Sequence, residues 1–120
     1  MTPHLTYFLT KLTRNHYLVF REPARKLIEE RVKYWVGVTG YVVYDIRIKD
    51  LKSRWGSCSS KGNLNFNYRL LYLPQALREY IIVHEICHLK EMNHSKRFWD
   101  LVEKYFPEYK KAIKVLSNKH

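Results

Sequence analysis

The chain has 120 residues, 46% of them hydrophobic and 15% aromatic, which suits one compact domain and excludes a disordered chain. Its 22 lysines and arginines against 11 acidic residues give a formal net charge of +11, which would attract polyanions such as nucleic acid or nucleotides. No apolar run in the sequence approaches the length of ~20 residues that a membrane span needs, and the N-terminus lacks the pattern of a signal peptide.

We expect a single domain over residues 1–120, in which residues 1–20 form an N-terminal extension. Apolar residues at helical spacing predict a short helix in that extension; they are Leu5, Phe8, Leu9 and Leu12. A longer helix is expected to begin near Pro23, a residue suited to a first helical turn. Its apolar stripe consists of Ala24, Leu27, Ile28, Val32 and Trp35. Gly37 and Gly40 are expected to end it.

A small antiparallel sheet is expected next. From Val42 to Lys49 the chain alternates with a period of two, which is typical of a strand. Two further strands, within residues 53–59 and 63–67, flank a Ser-Lys-Gly sequence that predicts a hairpin turn. Leu64 and Phe66 should face the core.

Pro74 opens a further helix that we expect to run to about Met92. It is apolar nearly all round and should therefore be buried. It contains His84-Glu85-Ile86-Cys87-His88. Because helical residues four apart lie above one another, His84 and His88 can share a metal ion. Glu85 lies beside them, where its carboxylate can accept a proton from water that the metal activates.

His94 can complete a three-histidine site whose fourth coordination position stays open. Such an open position distinguishes a catalytic zinc site from a structural one. In an unbroken helix, position 94 would point roughly 100° away from the other histidines. We therefore expect the helix to stop near Asn93 in a left-handed conformation, and Ser95 to cap a new helix that Pro107 ends. Another Asp, Glu or His remains an alternative third ligand.

Several motifs occur in order between Pro23 and Tyr109. They are Arg54-Trp55-Gly56-Ser57-Cys58, Asn63-Leu64-Asn65-Phe66-Asn67, His84 to His88, Asn93-His94-Ser95 and Phe98-Trp99. Together they resemble the YgjP-like metallopeptidase family, which is related to the SprT-like and WLM zincins. The resemblance implies an α+β, zincin-like fold with the sheet packed on the motif helix. It also implies one zinc ion bound by the three histidines, with Glu85 as catalytic base.

The strand that carries Asn65 and Asn67 offers a candidate substrate site. If it is the sheet edge over the metal, an extended peptide could pair with it. Asn65, Asn67 and Arg54 are then candidates for substrate binding. The alternative is that this side of the strand simply faces solvent.

We therefore expect a zinc-dependent, metallopeptidase-like hydrolase that acts on a peptide or protein. A metal-dependent nucleoside triphosphate pyrophosphatase is one alternative, since basic residues could clamp phosphates. A zinc-bearing module that contacts nucleic acid through its basic surface is another. The two cysteines, Cys58 and Cys87, make no disulfide framework, which together with the missing signal peptide favours the cytoplasm.

Overall fold

Helices pack around a small sheet in residues 14–117, which are the residues that this computed structural model describes. The elements are α1 (Arg14–Thr39), β1 (Asp45–Lys49), β2 (Gly56–Cys58), β3 (Asn63–Asn67), a 3-10 helix (Tyr68–Tyr72), α2 (Gln75–Cys87), α3 (Lys96–Tyr105) and α4 (Tyr109–Ser117). The α+β class is confirmed. The helix expected in the N-terminal extension, from Leu5 to Leu12, lies outside the described residues.

Helix α1 begins earlier than expected. The predicted start at Pro23 is wrong, because this proline lies inside the helix. Proline removes one backbone donor and crowds the preceding turn, but burial of an apolar face can outweigh that cost. The buried face is formed by Ala24, Ile28 and Val32. Gly40, with φ of +75°, follows the last helical residue as expected, whereas Gly37 lies within the helix.

The sheet is mixed, not antiparallel as expected. Its strand order is β1-β3-β2, with β1 parallel to β3 and β2 antiparallel to β3. Parallel neighbours need a crossover, which here consists of residues 50–62 and contains β2. The predicted hairpin is confirmed, and Leu64 and Phe66 are fully buried. Val42 and Tyr44 precede β1 and are 83% and 78% exposed.

Two buried polar side chains hold the first part of the crossover, residues 50–55, in place. The Asn67 amide donates to two backbone carbonyls of this segment, at 2.8 and 3.0 Å. The fully buried Arg69 donates to Asp50 Oδ1 at 2.7 Å. Since this segment leads directly into β2, these bonds help to determine where β2 lies.

Helix α2 packs against α1 and against β2. Its buried Glu79 accepts hydrogen bonds from Arg31 Nε at 3.0 Å and from Trp35 Nε1 at 2.8 Å, both on α1. Buried carboxylates need such partners, because an unpaired one is costly. Helices α3 and α4 are separated near Pro107, as predicted. Within residues 14–117, no helix has both the length and the apolar character to span a membrane.

Candidate active site

Helix α2 ends at Cys87, earlier than the expected end near Met92. Asn93 does not adopt the left-handed conformation that we expected, since only glycines have positive φ in the described part of the chain. Ser95 does occupy the N-cap position of α3, although its side chain makes no capping hydrogen bond. The chain therefore does turn back so that His94 can approach the other histidines. Turn residues with negative φ produce this change of direction.

Three imidazole rings converge as a result. Nε2 of His94 lies 3.1 Å from Nε2 of His88 and 3.3 Å from Nε2 of His84. The candidate ligand nitrogens of the three residues all lie within 4.8 Å of one another. The structure thus brings together the histidines that the sequence singled out, and this group could hold a metal ion.

The spacing of the ring nitrogens suits a small tetrahedral cation. Zn–N bonds of about 2.0–2.1 Å at tetrahedral angles separate ligand nitrogens by about 3.3 Å. The two measured separations are 3.1 and 3.3 Å. Three imidazoles are also a donor set that zinc commonly takes. The residues present therefore fit the metal.

Hydrogen bonds to the opposite ring nitrogens orient two of the histidines. His88 Nδ1 lies 3.0 Å from the Glu91 carbonyl oxygen, which can only accept. His88 therefore carries its proton on Nδ1, and a neutral ring presents the lone pair of Nε2 to the cluster. Nδ1 of His84 lies 3.1 Å from the Tyr80 hydroxyl, whose oxygen can accept a hydrogen bond from Nδ1–H in the same way.

The electrostatics of the cluster favour neutral rings. Burial, with the neighbouring His88 and His94 adding to it, lowers the pKa of His84 to about 3. Burial also lowers the pKa of His88. Metal ligation requires deprotonated imidazole, so the burial of His84 and His88 favours the form that binds a cation.

Aromatic rings pack against the cluster. Phe98 stacks on His88 with ring centroids 4.3 Å apart, and Trp99 stacks on His94 at 5.9 Å. Both aromatic residues belong to α3, which begins directly after the turn. Trp99 therefore lies beside the candidate ligands, in addition to packing against the core.

Glu85 faces the same space as the histidines. It lies in a cavity of about 240 Å³ whose lining is Gly56, Ser57, Cys58, His84, Glu85, His88, Met92 and His94. The side chain is only 7% exposed, and burial raises the pKa of Glu85 to about 8, while the charge of Arg54 acts in the opposite direction. A carboxylate with a pKa near neutral is well suited to exchange protons.

Cys58 lines this cavity as a neutral thiol. Burial, with Glu85 adding to it, raises the pKa of Cys58 to about 11. The thiol donates weakly to the Ser59 carbonyl at 3.4 Å. Cys58 is not part of the histidine cluster. Cys87 is buried in the core, as expected of a small apolar residue.

The residues predicted to bind substrate have different surroundings. Asn67 is fully buried and bonded to the crossover segment, so the prediction for Asn67 does not fit its burial. Asn65 is half-buried and donates to Ser57 Oγ at 3.1 Å. Arg54 is exposed, and its charge acts on Glu85. The strand β3 that carries both asparagines is central, so the edge over the cavity is β2.

Sequence reasoning missed several residues of the site. Tyr80 precedes His84 by one helical turn, so the spacing that paired the histidines could have indicated it. No comparable signal marks Gly56, Ser57 and Met92. They become neighbours of the histidines only because β2 and the turn after α2 pack against α2.

Comparison with known proteins adds independent findings. The family model described as YgjP-like, metallopeptidase domain, matches residues 9–119. Among solved structures, the chain is similar to the metallopeptidase zymogen abylysin of Pyrococcus abyssi. The two share 34% identity over 72% of this chain and 88% of that chain, with a TM-score of 0.63.

The metallopeptidase zymogen jannalysin of Methanocaldococcus jannaschii is similar in fold. It shares 23% identity over 74% of this chain and 93% of that chain, with a TM-score of 0.61. A comparison with curated proteins finds no match. None of these comparisons supports a nucleotide substrate or a nucleic-acid partner.

Proposed function

Because the chain belongs to the YgjP-like metallopeptidase family, we propose that it is a zinc-dependent peptidase with a single catalytic ion. In this proposal His84, His88 and His94 bind the zinc, and Glu85 is the general base. The family makes the chain a metal-dependent hydrolase and suggests a peptide or protein substrate; the identity of the metal and the roles of the four residues are our proposal.

One observation carries the proposal. Three ring nitrogens converge beside a buried carboxyl group, and all four residues line one open cavity. Zinc bound there would supply a Lewis acid that lowers the pKa of water and stabilises negative charge on a carbonyl oxygen.

The chain's own groups perform the remaining tasks. Glu85 would take the proton from the attacking water and pass it to the leaving amine. Its burial at the floor of the cavity keeps its pKa near neutral, where both directions of transfer are accessible. Tyr80 and the Glu91 carbonyl hold two of the histidine rings. The exposed Arg54 would contact the substrate beside Glu85.

Strand β2 would position the peptide. It is bonded to β3 on one side, and its residues Gly56, Ser57 and Cys58 line the cavity. An extended peptide can add to such an edge through main-chain hydrogen bonds. Asn65 would act indirectly, because its amide holds the Ser57 hydroxyl.

The deciding experiment compares wild type with Glu85→Gln and His88→Ala. We expect wild type to hold about one zinc and cleave casein, and His88→Ala to lose the metal. Glu85→Gln should keep zinc but lose at least ~10²-fold in turnover, because the base is gone. Metal analysis and release of casein peptides measure these outcomes, with the exposed Glu103→Gln as matched control.

Full activity of the zinc-loaded Glu85→Gln protein would show that Glu85 is not the base. Parallel assays with nucleoside triphosphates test the pyrophosphatase alternative, and salt-dependent binding to duplex DNA tests the nucleic-acid alternative. Since both similar structures are those of zymogens, inactivity of wild type counts against the proposal only after limited proteolysis has also been tried.

A further inference from the structure

A second cavity continues from the first. It measures about 200 Å³, and its lining is Val42, Ser59, Ser60, Lys61, Gly62, His88, Leu89 and Met92. His88 and Met92 belong to both cavities, so the two spaces adjoin at these side chains. The second space is smaller than the roughly 300–1,000 Å³ of a typical small-molecule pocket, and its size suits a single side chain.

The walls of this second cavity favour an apolar occupant. Val42 is 83% exposed and Met92 45% exposed, and Leu89 is half-buried between them and the core. Isolated apolar side chains on a surface need no explanation, but three that line one cavity gain free energy when an apolar group covers them.

Two oxygen atoms of the turn, Ser59 Oγ and the Gly62 carbonyl, already have hydrogen-bond partners next to the cavity. Ser59 Oγ accepts from the backbone N–H groups of Lys61 and Asn63, at 3.3 and 3.2 Å. The Gly62 carbonyl accepts from Tyr44 N at 2.8 Å. These two oxygens therefore already serve as acceptors within the turn.

Charge disfavours one class of side chain. Lys61 is the one lysine, arginine or acidic residue in this lining. A basic side chain in the cavity would therefore meet a like charge, which costs affinity.

The location of the cavity along β2 assigns it to one side of the substrate. The cavity that holds Glu85 and the histidines is lined by the residues of β2, Gly56 to Cys58, so the reacting bond belongs beside this strand. The second cavity begins at Ser59, just past the end of β2. A peptide paired antiparallel to β2, the slightly more stable arrangement, passes Ser59 with residues N-terminal to the scissile bond.

We infer that the second cavity is a specificity subsite for an aliphatic or aromatic side chain on the N-terminal side of the scissile bond. This inference rests on the proposed peptidase function and adds the substrate preference. Val42, Leu89 and Met92 form its apolar wall, and Lys61 disfavours basic residues.

The first test is a cleavage profile. Zinc-loaded wild type, Val42→Gln and Val115→Gln digest casein, and mass spectrometry identifies the residues around each cut. Val115 is an exposed valine of α4 outside both cavities and serves as the matched control. We expect apolar residues to be favoured on the order of tenfold at one position before the cut. Val42→Gln should weaken that preference, and Val115→Gln should keep it.

Cleavage without this preference, or with an apolar preference only after the cut, overturns the subsite and leaves the proposed peptidase intact. A preference that Val42→Gln does not change also overturns it, because the wall would then lie elsewhere.

The second test does not depend on turnover. Methyl NMR resonances of Val42 and Met92 are followed in zinc-loaded Glu85→Gln protein during titration with N-acetyl-leucinamide or N-acetyl-serinamide. Shifts with the leucine compound that exceed those with the serine compound support the subsite, even if no peptide is cleaved and the proposed function fails. Equal or absent shifts overturn the subsite.

Discussion

Tyr80 is the side chain that determines how His84 is presented. Its hydroxyl lies 3.1 Å from His84 Nδ1, while His84 Nε2 faces the other histidines. Burial raises the pKa of Tyr80, so its hydroxyl stays neutral and can accept a hydrogen bond from Nδ1–H. Partners of this kind hold the ring orientation and tautomer of a metal-binding histidine.

Replacing Tyr80 with Phe should therefore weaken zinc binding by about 10–100-fold without unfolding the protein. The ring remains to fill the core, and only the hydroxyl that holds His84 is lost. Competition with a chromophoric chelator measures zinc affinity, and circular dichroism checks the fold. Tyr44→Phe removes an exposed hydroxyl and is the matched control. Equal zinc affinity in Tyr80→Phe and wild type would contradict this role.

Strand β2 can approach α2 closely because Gly56 has no side chain. A Cβ at this position would lie 2.9 Å from the Asn65 carbonyl oxygen and 3.2 Å from Glu85 Cγ. Real side chains do not tolerate such a distance to backbone, so the sheet or the helix would have to move. The contact between β2 and α2 encloses the cavity. This contact is possible because Gly56 has no side chain.

Gly56→Ala should accordingly destabilise the protein by about 1–3 kcal/mol, the usual cost of overpacking. Gly37→Ala is the comparison, since a Cβ there meets nothing within 4 Å. That change should stabilise by roughly 0.5–1 kcal/mol, because alanine suits a helix interior better than glycine. Urea unfolding of the two variants gives the free energies. If Gly56→Ala proved as stable as Gly37→Ala, β2 would be able to shift and accommodate a Cβ at no cost in stability, which would contradict this prediction.

The whole molecule has an apolar core that does not depend on the candidate metal. Side chains from α1, the sheet, α2, α3 and α4 form one buried cluster. Glu79 further joins α2 to α1 through Arg31 and Trp35. A protein with such a core should fold without zinc, unlike small zinc-finger domains that depend on the metal.

Zinc should nevertheless raise thermal stability by mass action. At free zinc one hundred times the dissociation constant, the gain is about 2.7 kcal/mol, or about 10 °C in Tm for a chain of this size. Thermal unfolding followed with and without EDTA measures the shift. His88→Ala should unfold at one temperature in both conditions. If the EDTA-treated wild type were already unfolded at low temperature, the prediction that the core folds without zinc would be wrong.

Local patterns in the sequence determined much of what is seen. The helical repeat placed His84 and His88 on one face, and the hairpin and the break near Pro107 depend on neighbouring residues. Such features depend on short-range geometry, so periodicity and turn chemistry predict them. The prediction of one domain over the whole chain stays a prediction.

Tertiary packing decided the rest. Pro23 is itself exposed but remains within a helix because another face of that helix is buried in the core, and the local rule for proline does not contain that information. Asn67 and Arg69 bind the segment that follows β1, and β1 pairs in parallel with β3. That pairing makes β3 central and leaves β2 at the edge over the histidines. Residues far apart in the chain determine these features together, since each is stable only when its neighbours are already in place.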